Sequence, residues 1–143
     1  MENLKTFDKW YGKNGMDEYI KEKLGCSVYT GQGIIHRNKE KTTILRSVDD
    51  TYFYADDLSN PKLVMYTLFG HNGDQDPAEK RFNEKLLNSK KSEHIYLYRV
   101  CVDKKEKRWI WYGKYRIISM GKKQHPGKDN NMRKIIIIGL EKI

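Results

Sequence analysis

The residues best suited to binding a ligand lie in one glycine-containing loop, FGHNGDQD, at positions 69–76. Gly70 and Gly73 permit positive φ angles and a close approach of the backbone to a ligand. The intervening and following side chains supply hydrogen-bond donors and acceptors: His71, Asn72, Asp74 and Gln75. The pattern fits a binding surface and equally a structural loop whose polar side chains bond to its own backbone.

The segment after this loop predicts a helix over Ala78 to Asn88, opened by Pro77, with Asp76 as its cap and Glu79 in the capping-box position. A helix N-terminus offers free N–H groups and a positive dipole end to a phosphate. The polar face of the helix would extend this positive surface with three more candidates for ligand contact: Arg81, Asn83 and Lys85.

A second basic segment, predicted to be a loop, runs from Met120 to Met132. Its rigid Pro-Gly turn is surrounded by cations that could enter a groove of DNA or line an apolar pocket. A solvated charged loop is the commoner fate of such a run. The candidate contacts in and beside it are Lys122, Lys123, His125, Pro126, Gly127, Lys128 and Arg133.

A predicted strand over Trp109 to Ile118, bulged at Gly113, concentrates aromatic residues. Such side chains can hold a flipped base by stacking, but more often they form the core. We expect at least two of the four to be core residues: Trp109, Trp111, Tyr112 and Tyr115.

Catalysis is poorly supported, because the sequence has no His-Glu-x-x-His, Cys-x-x-Cys or Walker motif. Its four histidines are not paired at the spacing of metal ligands. We therefore expect neither a catalytic centre nor a metal or cofactor in this chain. The enzyme alternative is a small metal-dependent nuclease that uses Asp74 and Glu79.

The charge of the chain favours an anionic partner. Lys and Arg number 28 against 19 Asp and Glu, which gives a net charge of +9 over 143 residues. Such a balance favours contacts with phosphates, so we expect double-stranded DNA as the partner. The sequence shows no signal peptide and no apolar stretch of membrane-spanning length, so we expect a cytoplasmic protein without a membrane partner.

The predicted elements indicate a single α+β domain over residues 1–143. A helix over Met16 to Leu24, ended by Gly25, precedes several short strands, the second helix and a strand meander. We expect a strongly bent mixed sheet or small β-barrel with two or three flanking helices. The principal predicted strands are Thr42–Ser47, Thr51–Tyr54, Lys62–Leu68, His94–Val102 and Arg133–Leu140.

Taken in order, these motifs resemble SRA-like domains of the PUA superfamily. The first residues that show the resemblance are Tyr66, Gly70, Gly73, Asp74, Gln75, Asn83 and Leu86. The aromatic-Gly-aromatic strand WYGKY at 111–115 is similar too. So are PGKD at 126–129, Arg133 and the apolar strand to Leu140. The motifs most resemble the modified-DNA-reading modules found with HNH nucleases in modification-dependent restriction enzymes, which include methylcytosine readers and phosphorothioate-binding domains.

The resemblance implies a PUA-like barrel that reads modified DNA and has no active site of its own. The mark would be a methylated or hydroxymethylated cytosine, or a phosphorothioate in the backbone. Any nuclease would come from another domain or subunit, because the chain has no HNH motif. Contacts to the base edge or the sulfur are expected from Asn72, Asp74, Gln75, His125 and Arg133. An RNA-binding PUA-like module is a further alternative.

Overall fold

The computed structural model describes residues 4–28, 33–49 and 51–143. Within them the chain forms two short helices and seven strands, which confirms the predicted α+β class. The helices are α1 (Met16–Leu24) and α2 (Asn83–Leu87). The strands are β1 (Lys5–Phe7), β2 (Ile34–Arg37), β3 (Thr42–Val48), β4 (Leu63–Thr67), β5 (His94–Asp103), β6 (Glu106–Pro126) and β7 (Met132–Lys142).

All seven strands belong to one mixed sheet with the order β2-β3-β5-β6-β7-β4. Strand β1 pairs with β6 off this path, through partners such as Lys5 and Trp111. Strands β3 and β5 are parallel, and the other pairs are antiparallel. The long connection between the two parallel strands contains β4, α2 and the glycine-containing loop, so the sheet holds both ends of that segment.

The core lies on both faces of the sheet. One cluster, which includes Leu45, Leu97 and Ile138, lies between the sheet and α2. The other, which includes Met16, Ile20 and Tyr98, packs under α1. Among the four aromatic candidates of β6, the structure buries three, Trp111, Tyr112 and Tyr115, as expected of core residues.

Several local predictions are confirmed. Helix α1 has the predicted bounds, and Gly25 ends it with a φ of 71°. Strand pairing shifts by one residue between Leu97 and Tyr98 of β5, which leaves Tyr112 as the extra residue beside Gly113 on β6. This is the predicted bulge, and the positive φ of Gly113 at 104° suits it.

The predicted loop over Met120 to Met132 is wrong. Strand β6 continues to Pro126 and pairs with β7, so the true turn covers only residues 127–131. The buried isoleucines of β7 require a strand beside them, and Met120 to Gln124 supplies its backbone hydrogen bonds despite its exposed polar side chains.

Two other predicted elements also change. Thr51 to Tyr54 is a turn rather than a strand, because consecutive aromatic residues leave no polar face and a run of aspartates follows them. The second helix begins at Asn83 instead of Ala78. The Glu79 carboxylate accepts the backbone N–H groups of Arg81, Phe82 and Asn83, so it caps the helix from a preceding turn.

No helix among the described residues is long and apolar enough to cross a membrane.

Candidate nucleic-acid interface

The two segments singled out in the sequence, here called the glycine loop (residues 69–76) and the basic turn (127–131), are in direct contact. The carbonyl of His71 accepts the N–H of Lys128 at 2.8 Å. The Asn72 side-chain oxygen accepts the N–H of Asp129, also at 2.8 Å. Loops distant in sequence therefore form one continuous surface.

Gly127 makes this close approach possible. A Cβ atom at this position would lie 2.9 Å from the His71 carbonyl oxygen and 3.0 Å from the Asp129 side chain. Real Cβ atoms do not approach backbone oxygen so closely without displacement of one partner. The absence of a side chain at Gly127 therefore sets the spacing between the two loops.

Two side chains at the end of the glycine loop bind backbone N–H groups of β7. The Asp74 carboxylate accepts the Lys134 N–H at 2.8 Å. Gln75, which is buried, accepts the Ile136 N–H with its amide oxygen and donates its amide to the Leu68 carbonyl at 2.7 Å. These bonds hold the loop in place; direct contact of Asp74 or Gln75 with DNA stays a prediction.

Arg133 links three segments from beneath the surface. Its side chain is 2% exposed, and its guanidinium donates to the carbonyls of Gly70, Gly73 and Phe53. Its two terminal nitrogens therefore position the glycine loop and the segment around Phe53, whereas the buried Nε has no hydrogen-bond partner among the described residues.

Two further predicted residues are fully internal. Asn83 accepts the Phe69 N–H at 2.8 Å and donates to the carbonyls of Phe69 and Asp76 at 3.0 Å. The Tyr66 hydroxyl donates to the carbonyl of Gly33 at 3.0 Å. Both side chains shape the walls of the site, and their contact with DNA stays a prediction.

Two of the predicted cations lie beside aromatic rings. Lys128 lies beside the Phe53 ring, with its Nζ atom 5.9 Å from the ring centroid. The Arg81 guanidinium lies 5.3 Å from the centroid of Phe82. Lys122 and Lys123 are exposed on β6, whereas Lys85 is partly buried in α2. Contact of these residues with DNA stays a prediction.

A third segment, residues 51–56, completes the surface. Its place in the site was not predicted from the sequence. The His125 ring is 2.8 Å from the Tyr52 carbonyl, and the Tyr52 hydroxyl donates to the Lys128 carbonyl at 2.8 Å. Pro126, at the end of β6, leads into the basic turn beside them. The aromatic run Tyr52-Phe53-Tyr54 was the available signal, since it lacks the alternation of a half-buried strand.

A cavity of about 330 Å³ opens between this third segment and the glycine loop. Its walls include five rings, with polar groups among them from Arg46, Thr51 and Asp56. The His71 ring centroid lies 5.1 Å from that of Phe53 and 5.7 Å from that of Phe69. The aromatic members are Phe53, Tyr54, Phe69, His71 and Phe82.

Asp56 gives the cavity wall a carboxyl group. Its two oxygens accept the Thr67 N–H and the Ser47 hydroxyl, each at 2.7 Å. Burial raises the pKa of Asp56, although these hydrogen bonds act in the opposite direction. A carboxyl with a raised pKa takes up its proton at a higher pH than an exposed aspartate does, and once protonated it can donate as well as accept.

The sequence matches no family model and no curated protein. Solved structures are nevertheless similar in fold. An SRA domain of SUVH5, in complex with fully methylated CG DNA, matches with a TM-score of 0.59 and 18% identity over 98% of this chain and 90% of that one. The chain has an SRA-like fold.

Larger proteins contain the same SRA-like fold as one part. KRYPTONITE, solved with mCHH DNA, matches with a TM-score of 0.64 and 15% identity over 98% of this chain and 31% of that one. ScoMcrA, a Type IV phosphorothioation-dependent restriction endonuclease, matches with a TM-score of 0.63 and 15% identity over 100% of this chain and 28% of that one. The chain therefore spans about a third or less of these two proteins' lengths.

The two carboxylates proposed for a nuclease centre accept structural hydrogen bonds in this SRA-like fold. Asp74 binds the backbone of β7, and Glu79 caps α2. Residues 4–28, 33–49 and 51–143 contain no group of three or more His, Cys, Asp or Glu side chains arranged to hold a metal ion. The rings and the Asp56 carboxyl of the cavity are suited to binding a planar polar ligand instead.

Proposed function

We propose that this chain is a reader of modified double-stranded DNA, which receives a modified base flipped out of the duplex in its aromatic cavity. The observation that carries the proposal is the cavity's position beside the two interlocked loops, with five rings in its walls. A base inside a duplex exposes only its edge, whereas a flipped base offers both faces for stacking.

The size and chemistry of the cavity support a base as the ligand. A volume of about 330 Å³ lies at the small end of ligand pockets, which begin at roughly 300 Å³. The Asp56 carboxyl can accept a hydrogen bond from an exocyclic amino group and, when protonated, donate to the neighbouring ring nitrogen. Cytosine presents this pair of groups, so methylated or hydroxymethylated cytosine is the favoured class.

Recognition of a backbone sulfur has less support from the geometry. The sequence suggested contacts to the sulfur from His125 and Arg133, but the guanidinium of Arg133 is buried and donates to three carbonyls. The His125 ring lies against the Tyr52 carbonyl. Phosphorothioate DNA is therefore the second candidate ligand, after DNA with a modified cytosine, and is included in the binding test.

Exposed cations would hold the phosphates on either side of the flipped nucleotide. Lys128 of the basic turn and Arg81 beside Phe82 lie next to rings that line the cavity. Lys122 and Lys123 extend this positive charge along β6. Phosphate contacts position a protein on DNA without reading its sequence, so specificity would come from the cavity.

The structural neighbours support this proposal and suggest its setting. The SUVH5 and KRYPTONITE complexes contain methylated DNA, and ScoMcrA is a phosphorothioation-dependent restriction endonuclease. By analogy, the chain would be a single reader domain in the cytoplasm, as part of a modification-dependent restriction system. The nuclease would come from another domain or subunit.

The test is a binding panel of four duplexes with one sequence: unmodified, 5-methylcytosine, 5-hydroxymethylcytosine and phosphorothioate. We expect fluorescence anisotropy to show tighter binding to a duplex with a modified cytosine. Phe53→Ala should weaken it at least about fivefold, because stacking on an aromatic ring contributes roughly 1–3 kcal/mol per base. Tyr11→Ala, at an exposed position outside the cavity, is the matched control.

Equal affinity for all four duplexes near 150 mM salt, where the Debye length is about 8 Å, would contradict selective reading. Preference for structured RNA in a competition assay would favour the RNA-binding alternative. Cleavage with magnesium or manganese that Asp74→Ala abolishes would favour the nuclease.

A further inference from the structure

The distal half of β6 leaves one edge of the sheet open. Strand β5 pairs with β6 as far as Tyr115, and β1 pairs with it only around Trp111. From Arg116 to Pro126, β7 is the single strand partner that the described residues provide. Alternate N–H and C=O groups along this stretch therefore point away from the sheet, where another strand could pair with them.

An apolar groove of about 480 Å³ runs beside this open edge. It lies where β5 and β6 diverge, and α2 with the segment after it forms the opposite wall. The apolar lining comes from Leu86, Leu87, Ile95, Ile117 and Met120. Met120 is 58% exposed and Ile118 is 48% exposed, so apolar side chains face solvent at the edge itself.

Within the described part of the chain, the edge strand beside the groove carries unpaired positive charge. The two acids in or beside its lining are already paired, Glu93 with Lys41 at 3.4 Å and Glu141 with Arg116. Lys122 and Lys123 on the edge strand form no ion pair with a carboxylate among residues 4–28, 33–49 and 51–143. An incoming strand with acidic side chains on the Lys123 face would neutralise that lysine.

We propose that β6, from about Ile118 to Gln124, is a docking site for an extended segment of a partner protein, added to the sheet as an extra strand. Its apolar residues would enter the groove on the Met120 face, and its alternate acidic residues would lie on the opposite face beside Lys123, because successive strand residues point to opposite faces. This is strand addition, in which backbone bonds supply affinity and pockets for alternate side chains supply specificity. A second copy fits poorly, because two β6 edges would bring like-charged lysines together.

This docking site is separate from the cavity. None of the residues from Ile118 to Gln124 lines the cavity, and the basic turn begins three residues beyond Gln124. The proposal therefore does not rest on the proposed recognition of DNA; a bound partner would leave the cavity open and would compete with DNA phosphates only for Lys122 and Lys123.

The probe is a fluorescent synthetic peptide of about ten residues in which valine alternates with glutamate. The control peptide has the same composition with its valines contiguous, and anisotropy is measured on the full chain near 150 mM salt. We expect selective binding of the alternating peptide and slower hydrogen–deuterium exchange at amides between residues 118 and 124.

Met120→Glu should weaken this binding at least about tenfold, because it places an anion in the apolar groove beside the acidic peptide. Met132→Glu, at a residue that is 64% exposed on β7, is the matched control and should leave peptide binding unchanged. Circular dichroism of both variants checks that they are folded.

Three results would overturn the proposal. These are equal or absent binding of the two peptides, binding without slower exchange along 118–124, and equal binding by Met120→Glu and Met132→Glu. Self-association of the free chain, with exchange slowed along the same stretch, would assign the edge to a second copy and would also overturn it.

Discussion

At the residue scale, the polar side chains of the site hold its backbone in place. Asn83 and Gln75 are buried and bond to main-chain groups of the glycine loop or its neighbours. A buried amide of this kind is costly to remove, because its partners lose their hydrogen bonds without regaining water.

Asn83→Ala should therefore destabilise the protein by about 2–4 kcal/mol, since it leaves the Phe69 N–H and the carbonyls of Phe69 and Asp76 without their partner. Urea denaturation measures this change. Asn60→Ala removes one exposed bond to the Lys62 N–H and should cost less than about 1 kcal/mol. Similar losses in the two variants would contradict the structural role of Asn83.

His71 makes the site sensitive to pH. Although His71 is exposed, partial desolvation beside aromatic rings lowers its pKa, and the charges of Lys128 and Arg133 lower this pKa further. A histidine whose pKa is depressed on folding stabilises the protein fully above its unfolded pKa of about 6.5. This stability is lost as the pH falls through that value towards the folded pKa.

We expect the melting temperature of the wild-type chain to fall between about pH 7.5 and pH 5.5, and to fall less in His71→Phe, which keeps a ring but cannot titrate. Differential scanning calorimetry at both values measures the two declines. An equal decline would show that His71 is not a source of acid sensitivity.

The sequence indicated which residues form the site but not what they do there. It selected Asn72, Asp74, Gln75 and Arg133 because their side chains can bind a ligand. In the structure the same donors and acceptors are used by backbone groups that lie about 60 positions away in the chain. Hydrogen bonds between residues so far apart in sequence depend on the tertiary fold, which cannot be predicted from the local composition.

At the element scale, the ribbon of β6 and β7 carries the basic turn to the glycine loop. The sequence predicted β7 from its apolar run, but predicted a loop for Met120 to Pro126. The polar side chains there gave no periodic signal, because this part of β6 is exposed and takes its structure from pairing with β7.

Gly127→Ala should separate the two loops, because its Cβ would meet the His71 carbonyl at 2.9 Å. We expect a loss of about 1–3 kcal/mol in unfolding free energy, the range for overpacking, and weaker binding of modified DNA. Thermal denaturation and anisotropy measure the two effects.

Gly121→Ala is the control for this change. A Cβ at Gly121 meets no atom within 4 Å, so it lacks the clash that makes Gly127→Ala unfavourable. Equal effects of the two substitutions would mean that the close approach at Gly127 does not set the loop spacing.

At the scale of the whole molecule, the charge of +9 predicts that DNA binding weakens as salt rises. Lys128→Ala should reduce the slope of log affinity against log salt by about 0.9, the value for one phosphate contact. The slope is measured by titrations at several salt concentrations. Lys105→Ala, in the turn between β5 and β6, is the control, and the same reduction there would contradict a local role for Lys128.

The α+β class and most strands followed from hydrophobic periodicity, and net charge suggested an anionic partner. The cavity did not follow, because its walls combine Phe53, His71 and Phe82 with residues of β2 and β3. Each wall residue taken alone resembles an ordinary core or turn residue. The space between them exists only after the sheet has formed.

The parallel pairing of β3 with β5 has a consequence for synthesis on the ribosome. Strand β3 emerges early, but its partner on this side is translated only after the whole connection that contains β4 and α2. Strand β7, which anchors Asp74 and Gln75, emerges later still. The cavity is therefore completed only after β7 has been translated, because until then the glycine loop lacks its anchors.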